Sequence, residues 1–537
     1  MEERYIASVD LGTSKLAVCV ACIQDQNVQI IYYKESPSAG IRNSCVAVPG
    51  KVWEKVKVAI EEAQQALKIR IQQVVVGLPR WQVRQETASA IAVREADSDF
   101  ITEGEIRLLK SEALKSYPLK DEKKEVIYGA VAQSFSADDN FSEPESEIVG
   151  MSAERLEGHF KVFIGSKTYS TNIDKLFSGM RIGIAKKFFV PGITAKAVLK
   201  PDEMENGVAL IDLGAGVSSV TIFKNNLMRY YAAIPFGGDC ITRDIASICG
   251  FTFNMSENIK KAYGACMPDK LSTLGDKVLH IVNDDGVTTK RLSIKVLSEI
   301  IHARMEEIIN ALLYKIQESG FSSEDDLKKG LVITGGGAEL LNCINLFKEI
   351  SGYSVKLGLP NKYVSCDGCP EASTANAATA VGMILAVRTD RSVNSINDVY
   401  RPLVKPDTTQ TLFPKEERRP ESAPAKPSES YHEEPEPVSQ VVPDVSDTPV
   451  ATPADEPGGG SERYATGTGS HETVTETGHE TGSEPDVTPP GTTPDDGNGS
   501  DGGSGQTPDI PPKSPNPIKK FFWKLYESVC DDVDEGL

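Results

Sequence analysis

The chain has 537 residues and a formal net charge of −20, room for roughly two to four domains and too acidic a balance for a nucleic-acid binder. The acidity is local: residues 407–517 hold 22 acidic and 6 basic residues, so the other 426 residues are close to neutral. The first ten residues have neither a basic stretch nor an apolar core of the kind a secretory signal needs. No run of about 18 apolar residues exists to span a bilayer, and the 10 cysteines are expected to be reduced.

In chain order, Tyr5–Val9 is a strand, and Asp10-Leu-Gly-Thr-Ser-Lys15 is the turn after it. Glycine in such a turn lets backbone N–H groups close on phosphate oxygens, and an aspartate can hold a hydrated Mg²⁺. Taken singly the motif is weak, because Asp-x-Gly turns are common in hairpins. Cys19 and Cys22 sit three apart in a strand, so they point to opposite faces and cannot share a metal. Val74–Val76 and Val208–Ile211 are further strands, and the second is followed by Asp212-Leu-Gly-Ala-Gly216. This repeat of Asp-Leu-Gly after an apolar strand suggests two similar domains facing each other.

Ser293–Gln317 has the helical period, with Ile294, Leu297, Ile301, Met305, Ile308 and Leu312 in one stripe. Leu331–Ile333 is a strand that runs into Gly335-Gly-Gly-Ala338, with a helix expected from about Glu339. Three glycines allow a ligand to approach where any Cβ would block it; a tight strand-to-helix turn is the plainer reading. Cys366 and Cys369 lie in a loop with no second thiol pair to complete a metal site.

From about residue 405 the composition turns to Pro, Gly, Ser, Thr, Asp and Glu, which cannot bury enough apolar surface to offset ordering entropy. As a flexible coil this linker would span roughly 60 Å. It ends at Asn516-Pro517, an N-cap and first-turn pair. Beyond it Ile518, Phe521, Phe522, Leu525, Tyr526 and Val529 share one helical face, with Trp523 on its flank among Lys519, Lys520 and Lys524. The segment is too short to cross a bilayer and suits its interface; a helix docked on the body or on a partner protein is the other reading. The acidic tip, Asp531 to Glu535, weakens attraction to anionic lipid, leaving apolar burial to carry the binding.

The order Asp10-Leu-Gly-Thr, Asp212-Leu-Gly-Ala-Gly, Gly335-Gly-Gly-Ala resembles the two phosphate motifs and the adenosine motif of the actin, Hsp70 and sugar-kinase superfamily. Within it the chain resembles the FtsA family of bacterial division proteins. The pieces that carry this are Gly150-Met-Ser-Ala-Glu-Arg-Leu-Glu-Gly-His159, Pro235-Phe-Gly-Gly-Asp-Cys-Ile-Thr-Arg-Asp-Ile-Ala246, Ser256-Glu-Asn-Ile-Lys-Lys-Ala-Tyr-Gly264, Ile300–Ile308 and Thr379-Ala-Val-Gly382. They cover about residues 3–388, together with the terminal helix.

The resemblance implies an α/β, two-lobed actin-like ATPase fold. Residues 1–81 and 166–200 would build subdomain 1A, and 82–165 a family-specific small domain, 1C. Residues 201–390 would form the second lobe, with its 2B part at about 245–325, and return to 1A. Residues 391–515 would be the linker and 516–537 the membrane-targeting helix and acidic tip. ATP and Mg²⁺ are the implied cofactors. Asp10 and Asp212 would hold the metal through water, and Gly12, Thr13, Ser14, Lys15, Gly214, Gly216 and Ser218 would cradle phosphates with Gly237 and Gly238 beside them. Glu257 and Lys260 would meet ribose and adenine, and Gly335, Gly336 and Gly337 the adenosine. Lys290, Arg291 and Arg304 would receive the acidic C-terminal peptide of the tubulin-like protein FtsZ.

Two departures bear on turnover. Ala215 and Val217 replace a glycine and a hydroxyl in the second phosphate turn, and Val190 stands where many superfamily members place a water-positioning glutamate. Valine can neither accept a proton nor orient water. The expectation is therefore ATP binding with weak or negligible hydrolysis, in a self-associating protein on the inner face of the plasma membrane at the division site, working with other division proteins. A kinase or chaperone ATPase of the superfamily, and a PilM-like pilus scaffold, are the alternatives.

Overall fold

The computed structural model describes residues 3–396, apart from 26, 95–99, 139–142, 283–288 and 361–362. The expected linker beyond 396 and the amphipathic helix of 516–537 lie outside the described residues.

The chain opens with an antiparallel meander, β1 (Arg4–Leu11), β2 (Lys15–Gln24) and β3 (Asn27–Pro37). A small hairpin, β4 (Ile41–Arg42) and β5 (Cys45–Val46), then leads to α1 (Pro49–Leu67) and β6 (Gln73–Leu78), which pairs parallel to β1. Central strands are apolar on both faces, as a covered sheet requires. Ala7 and Val9 of β1 pack with Val52, Val56 and Ile60 of α1, whereas Ile6 points the other way into a second core.

Residues 84–166 form a separate three-stranded sheet in the order β7-β9-β8, built from β7 (Arg84–Val93), β8 (Glu125–Ala137) and β9 (Arg155–Ser166). It carries α2 (Glu103–Ser116) and the short α3 (Glu145–Ile148). A full capping box at Thr102 and Glu105 starts α2. Leu109 packs beside Phe135 and Phe160, which meet edge to face at 5.7 Å.

The chain then rejoins the first sheet through α4 (Lys167–Ser178) and β10 (Gly183–Phe189), followed by α5 (Val190–Val198) and α6 (Pro201–Asn206). The pattern now repeats. β11 (Val208–Leu213), β12 (Ser218–Lys224) and β13 (Leu227–Ile234) make a second meander, and two later strands, β16 (Leu331–Thr334) and β17 (Val355–Leu357), pair parallel beyond β11. Helices α7 (Gly238–Cys249) and α8 (Phe253–Tyr263), the hairpin β14 (Val278–Val282) and β15 (Thr289–Ser293), and α9 (Ile294–Glu318) precede β16 (Leu331–Thr334). The chain continues through α10 (Cys343–Ser351), β17 (Val355–Leu357) and α11 (Ala378–Ala386).

The sheet orders β10-β6-β1-β2-β3 and β13-β12-β11-β16-β17 are thus the same sheet built twice. The expected stripe of α9 is buried along its length and packs on the second sheet. One expectation needs correction. No α-helix starts at Glu339; Gly336–Glu339 forms a single 3-10 turn, and the α-helix begins at Cys343. Glycines at the head of the turn oppose helix nucleation, so the chain makes an extra bend before α10.

Between the two sheets lies a shared core in which α5 and α11 cross. Gly382 of α11 meets α5 so closely that a Cβ there would sit 2.4 Å from the Ile193 carbonyl oxygen. Gly382→Val is expected to force these helices apart and cost about 1–3 kcal/mol, seen as a lower urea midpoint; an unchanged midpoint would show that the crossing can relax.

Candidate functional site

Each sheet delivers one Asp-Leu-Gly turn at the carboxyl end of its first strand, and the two turns meet. A Cβ on Gly216 would lie 2.9 Å from the Thr13 side chain and 3.0 Å from Asn43 Oδ1, so only glycine allows this approach. The Thr13 hydroxyl accepts from the Ser44 N–H at 2.9 Å, which fixes the first turn against the β4–β5 hairpin. Ser14 is exposed at the rim. Gly12 also packs tightly, its Cβ position 2.5 Å from the Lys15 carbonyl oxygen.

On the other side, the N-terminus of α7 is tied to the second turn. The N–H groups of Gly238 and Asp239 donate to the carbonyls of Gly214 and Ala215 at 3.0 and 2.9 Å. Gly237 and Gly238 therefore brace the turn. Lys260 of α8 donates to the Gly238 carbonyl at 2.9 Å and to the Thr242 hydroxyl at 2.8 Å, and pairs with Glu257 at 2.6 Å. Burial pushes the Glu257 carboxyl up, but Lys260 and the Thr242 hydroxyl more than offset this, leaving its pKa below the ordinary range.

The third glycine run closes the floor. Gly335 has φ +84°, and a Cβ there would sit 2.6 Å from Asp212 Oδ1. A Cβ on Gly336 would meet Asn376 Oδ1 at 2.6 Å, and one on Gly337 the Leu213 side chain at 2.9 Å. Beside this floor is a cavity of about 350 Å³ lined by Tyr33, Glu35, Glu339, Thr374 and Asn376. Lys15 lies at its edge, paired with Glu35 and donating to the Asn376 carbonyl at 3.3 Å.

The carboxylates of Asp10 and Asp212 are close enough to affect each other. Burial raises the Asp10 pKa, and Arg80 and Lys15 oppose that rise. Arg80, from the Leu78-Pro-Arg-Trp loop, was not singled out by sequence. Its guanidinium is ion-paired with Asp212 Oδ2. A lone arginine after an apolar strand carries no signal of this, because its partner is 132 positions away.

The donor set suits a phosphate ligand. The glycines let the three turns pack on one another where any Cβ would clash, and among the described residues the buried Ser218 hydroxyl has no hydrogen-bond partner. Val190 is 4% exposed and packs against Gly77, whose Cβ position is 2.5 Å from Val190 Cγ2. The position of the usual glutamate is thus an apolar contact.

The three basic positions expected to meet an acidic peptide are not alike. Arg291 on β15 is exposed. Lys290 caps α7, donating to the Gly250 and Cys249 carbonyls at 2.7 and 3.2 Å. Arg304 has a side chain only 9% exposed, held bidentately by Asp244 at 2.6 and 2.9 Å and by Glu307 at 2.8 Å.

The chain is similar to cell division proteins in sequence and to a pilus-assembly protein in fold. The family model described as "Cell division protein FtsA" matches residues 209–382. The cell division protein FtsA of Neisseria meningitidis serogroup B is 27% identical over 387 residues, covering 72% of this chain and 90% of that protein. That of Enterococcus hirae is 28% identical over 358 residues, covering 66% and 78%. Among solved structures, one titled "PilM-PilN type IV pilus biogenesis complex" aligns with 71% of this chain and 98% of its own, at a TM-score of 0.50 and 15% identity, a likeness of fold. The fold is the actin-like one. Among the described residues, no helix is long and apolar enough to cross a membrane.

Lys260→Met would leave the Glu257 carboxylate with only the Thr242 hydroxyl and the exposed Lys261 as partners, at a cost of roughly 1–3 kcal/mol at pH 7. In the wild type the stability contributed by Glu257 is complete above its unfolded pKa of about 4.3. It is lost as pH falls through the lower native value. Urea unfolding from pH 7 to pH 3 should show this slope, and Glu257→Gln should flatten it; parallel curves would rule the pair out as a contributor.

Proposed function

We propose, from its similarity to FtsA cell division proteins, that the chain is a member of that family and an ATP-responsive, actin-like filament former that anchors FtsZ polymers to the plasma membrane. The observation that carries the nucleotide reading is the contact of the two Asp-Leu-Gly turns, with the glycine floor at 335–337 packed on Asp212. By the resemblance Asp10 and Asp212 would hold hydrated Mg²⁺, but Asp212 already carries the Arg80 guanidinium, so the pair as it stands is a poor fit to a divalent cation. Gly12, Thr13, Gly214, Gly216 and Ser218 would surround the phosphates. Glu257, Lys260 and Gly335–Gly337 would surround the nucleoside.

ATP then acts as a clamp. A ligand that touches both turns binds the closed arrangement of the lobes better than an open one, and shifts the population by that difference. With Val190 in an apolar contact, no carboxylate stands there to orient water, so the clamp releases slowly. The FtsZ peptide would meet the β14–β15 hairpin through Arg291, with Arg304 shaping the surface from beneath through Asp244. Arg291→Glu should weaken capture of that peptide at least tenfold while ATP binding persists; equal capture would move the contact elsewhere.

The membrane contact is assigned to residues 516–537. One short amphipathic helix binds weakly, so firm attachment needs many helices carried by one filament. The test is co-sedimentation with vesicles containing anionic lipid. The full chain should pellet more with ATP than without, and a chain lacking residues 516–537 should stay in the supernatant in both. Pelleting of the truncated chain would sink the tether.

A further inference from the structure

Arg80 holds both lobes at once. Its main-chain N–H donates to the Ser44 hydroxyl at 3.0 Å, and Ser44 is bonded to Thr13 of the first turn. Its carbonyl accepts from the Tyr231 hydroxyl on β13 of the second lobe. The guanidinium pairs with Asp212, and Nη2 lies 3.3 Å from the Cβ position of Gly214, directly against the second phosphate turn. Its side chain is 15% exposed and that of Asp212 11%, so water screens the pair little. Asp10 acts on the same guanidinium.

The charge balance of this cleft is unusual for a metal-dependent phosphate site. Two carboxylates would face a polyphosphate, and a divalent cation ordinarily neutralises such a cluster. Here Asp212 already has a cation on Oδ2, while Oδ1 packs on Gly335. Lys15, the other cation of the first turn, is paired with Glu35. A guanidinium has five N–H donors in a planar fork suited to phosphate oxygens. One is bonded to Asp212, the single acceptor bonded by the Arg80 side chain among the described residues.

We propose that Arg80 is the resident cation of the phosphate site: its guanidinium binds the polyphosphate directly, links it to Asp212, and makes nucleotide binding largely independent of divalent metal. The inference rests on the nucleotide reading above. It adds a specificity element: Arg80 lies against the second phosphate turn, so if that turn holds the outer phosphates, a monophosphate gains nothing from Arg80.

The test is equilibrium binding of ATP, ADP and AMP to the full chain, in Mg²⁺ and in excess chelator, for wild type, Arg80→Ala and Arg80→Lys. The wild type should lose less than about threefold in ATP affinity on chelation. Arg80→Ala should lose about tenfold or more in chelator, the size of a charged hydrogen bond, with AMP affinity unchanged. Arg80→Lys keeps the charge without the fork and should fall between. Circular dichroism melts check folding, and Arg80→Lys decides if Arg80→Ala does not fold. Wild-type ATP binding that collapses on chelation as far as the Arg80→Ala variant would overturn the proposal and leave the nucleotide reading intact. Absence of ATP binding in either buffer would overturn both.

Discussion

Two carboxylates and one guanidinium share the gap where the duplicated sheets meet, and the cleft is organised around that buried charge. Asp10 and Asp212 close their own strands, so they are placed by sheet geometry rather than by loop preference. Bringing them together without a cation would be costly, because burial alone already raises the Asp10 pKa. Arg80 supplies positive charge from a loop anchored in both lobes. The contact between the lobes and the neutralisation of the cleft therefore rest on the same loop.

The duplication explains why the chemistry lies there. In each sheet the hairpin turn after the first strand projects from the same end, and the strands beyond it run parallel. Parallel neighbours need crossovers, which place helices over both faces and leave the strand ends as the open edge. Glycine is then required at the points of closest approach. The contact of Gly216 with Thr13 joins the two turns, and that of Gly382 with Ile193 joins the two helices beneath them. The inserted sheet of residues 84–166 reaches the second lobe through bonds from Gln133 and Lys161 to carbonyls of β13. The first lobe is thus tied to the second at the cleft and through this sheet.

Much of this was legible in the sequence, for a physical reason. Repeated Asp-Leu-Gly after an apolar strand is a local pattern, and local patterns survive without tertiary information. The α9 stripe was legible for the same reason, since period alone fixes its buried face. The state of a cation was not. Arg304 reads as an open basic position on a helix, yet Asp244, 60 positions away, holds it bidentately. Arg80 reads as an ordinary loop residue, and Lys15 as a phosphate lysine although it pairs with Glu35. Sequence gives the charge of a side chain, whereas the pairing that decides its use depends on distant residues. The helix expected at Glu339 failed locally, because a run of glycines bends before it can nucleate.

Val190 connects the cleft to what the chain can do over time. Its methyl groups fill the space above Gly77, and Phe189 just before it stacks on Phe163 of the inserted sheet at 4.5 Å. Phe189 also meets Tyr231 edge to face at 5.0 Å, and Tyr231 in turn donates to the Arg80 carbonyl. A water-positioning carboxylate at 190 would have to be buried in this apolar contact, where its charged form is disfavoured. The segment that elsewhere would time hydrolysis is here part of the packing that joins the first sheet, the inserted sheet and the Arg80 loop. If the chain binds nucleotide as proposed, this packing would favour persistence over turnover. Persistence is what the proposed membrane-bound filament would require.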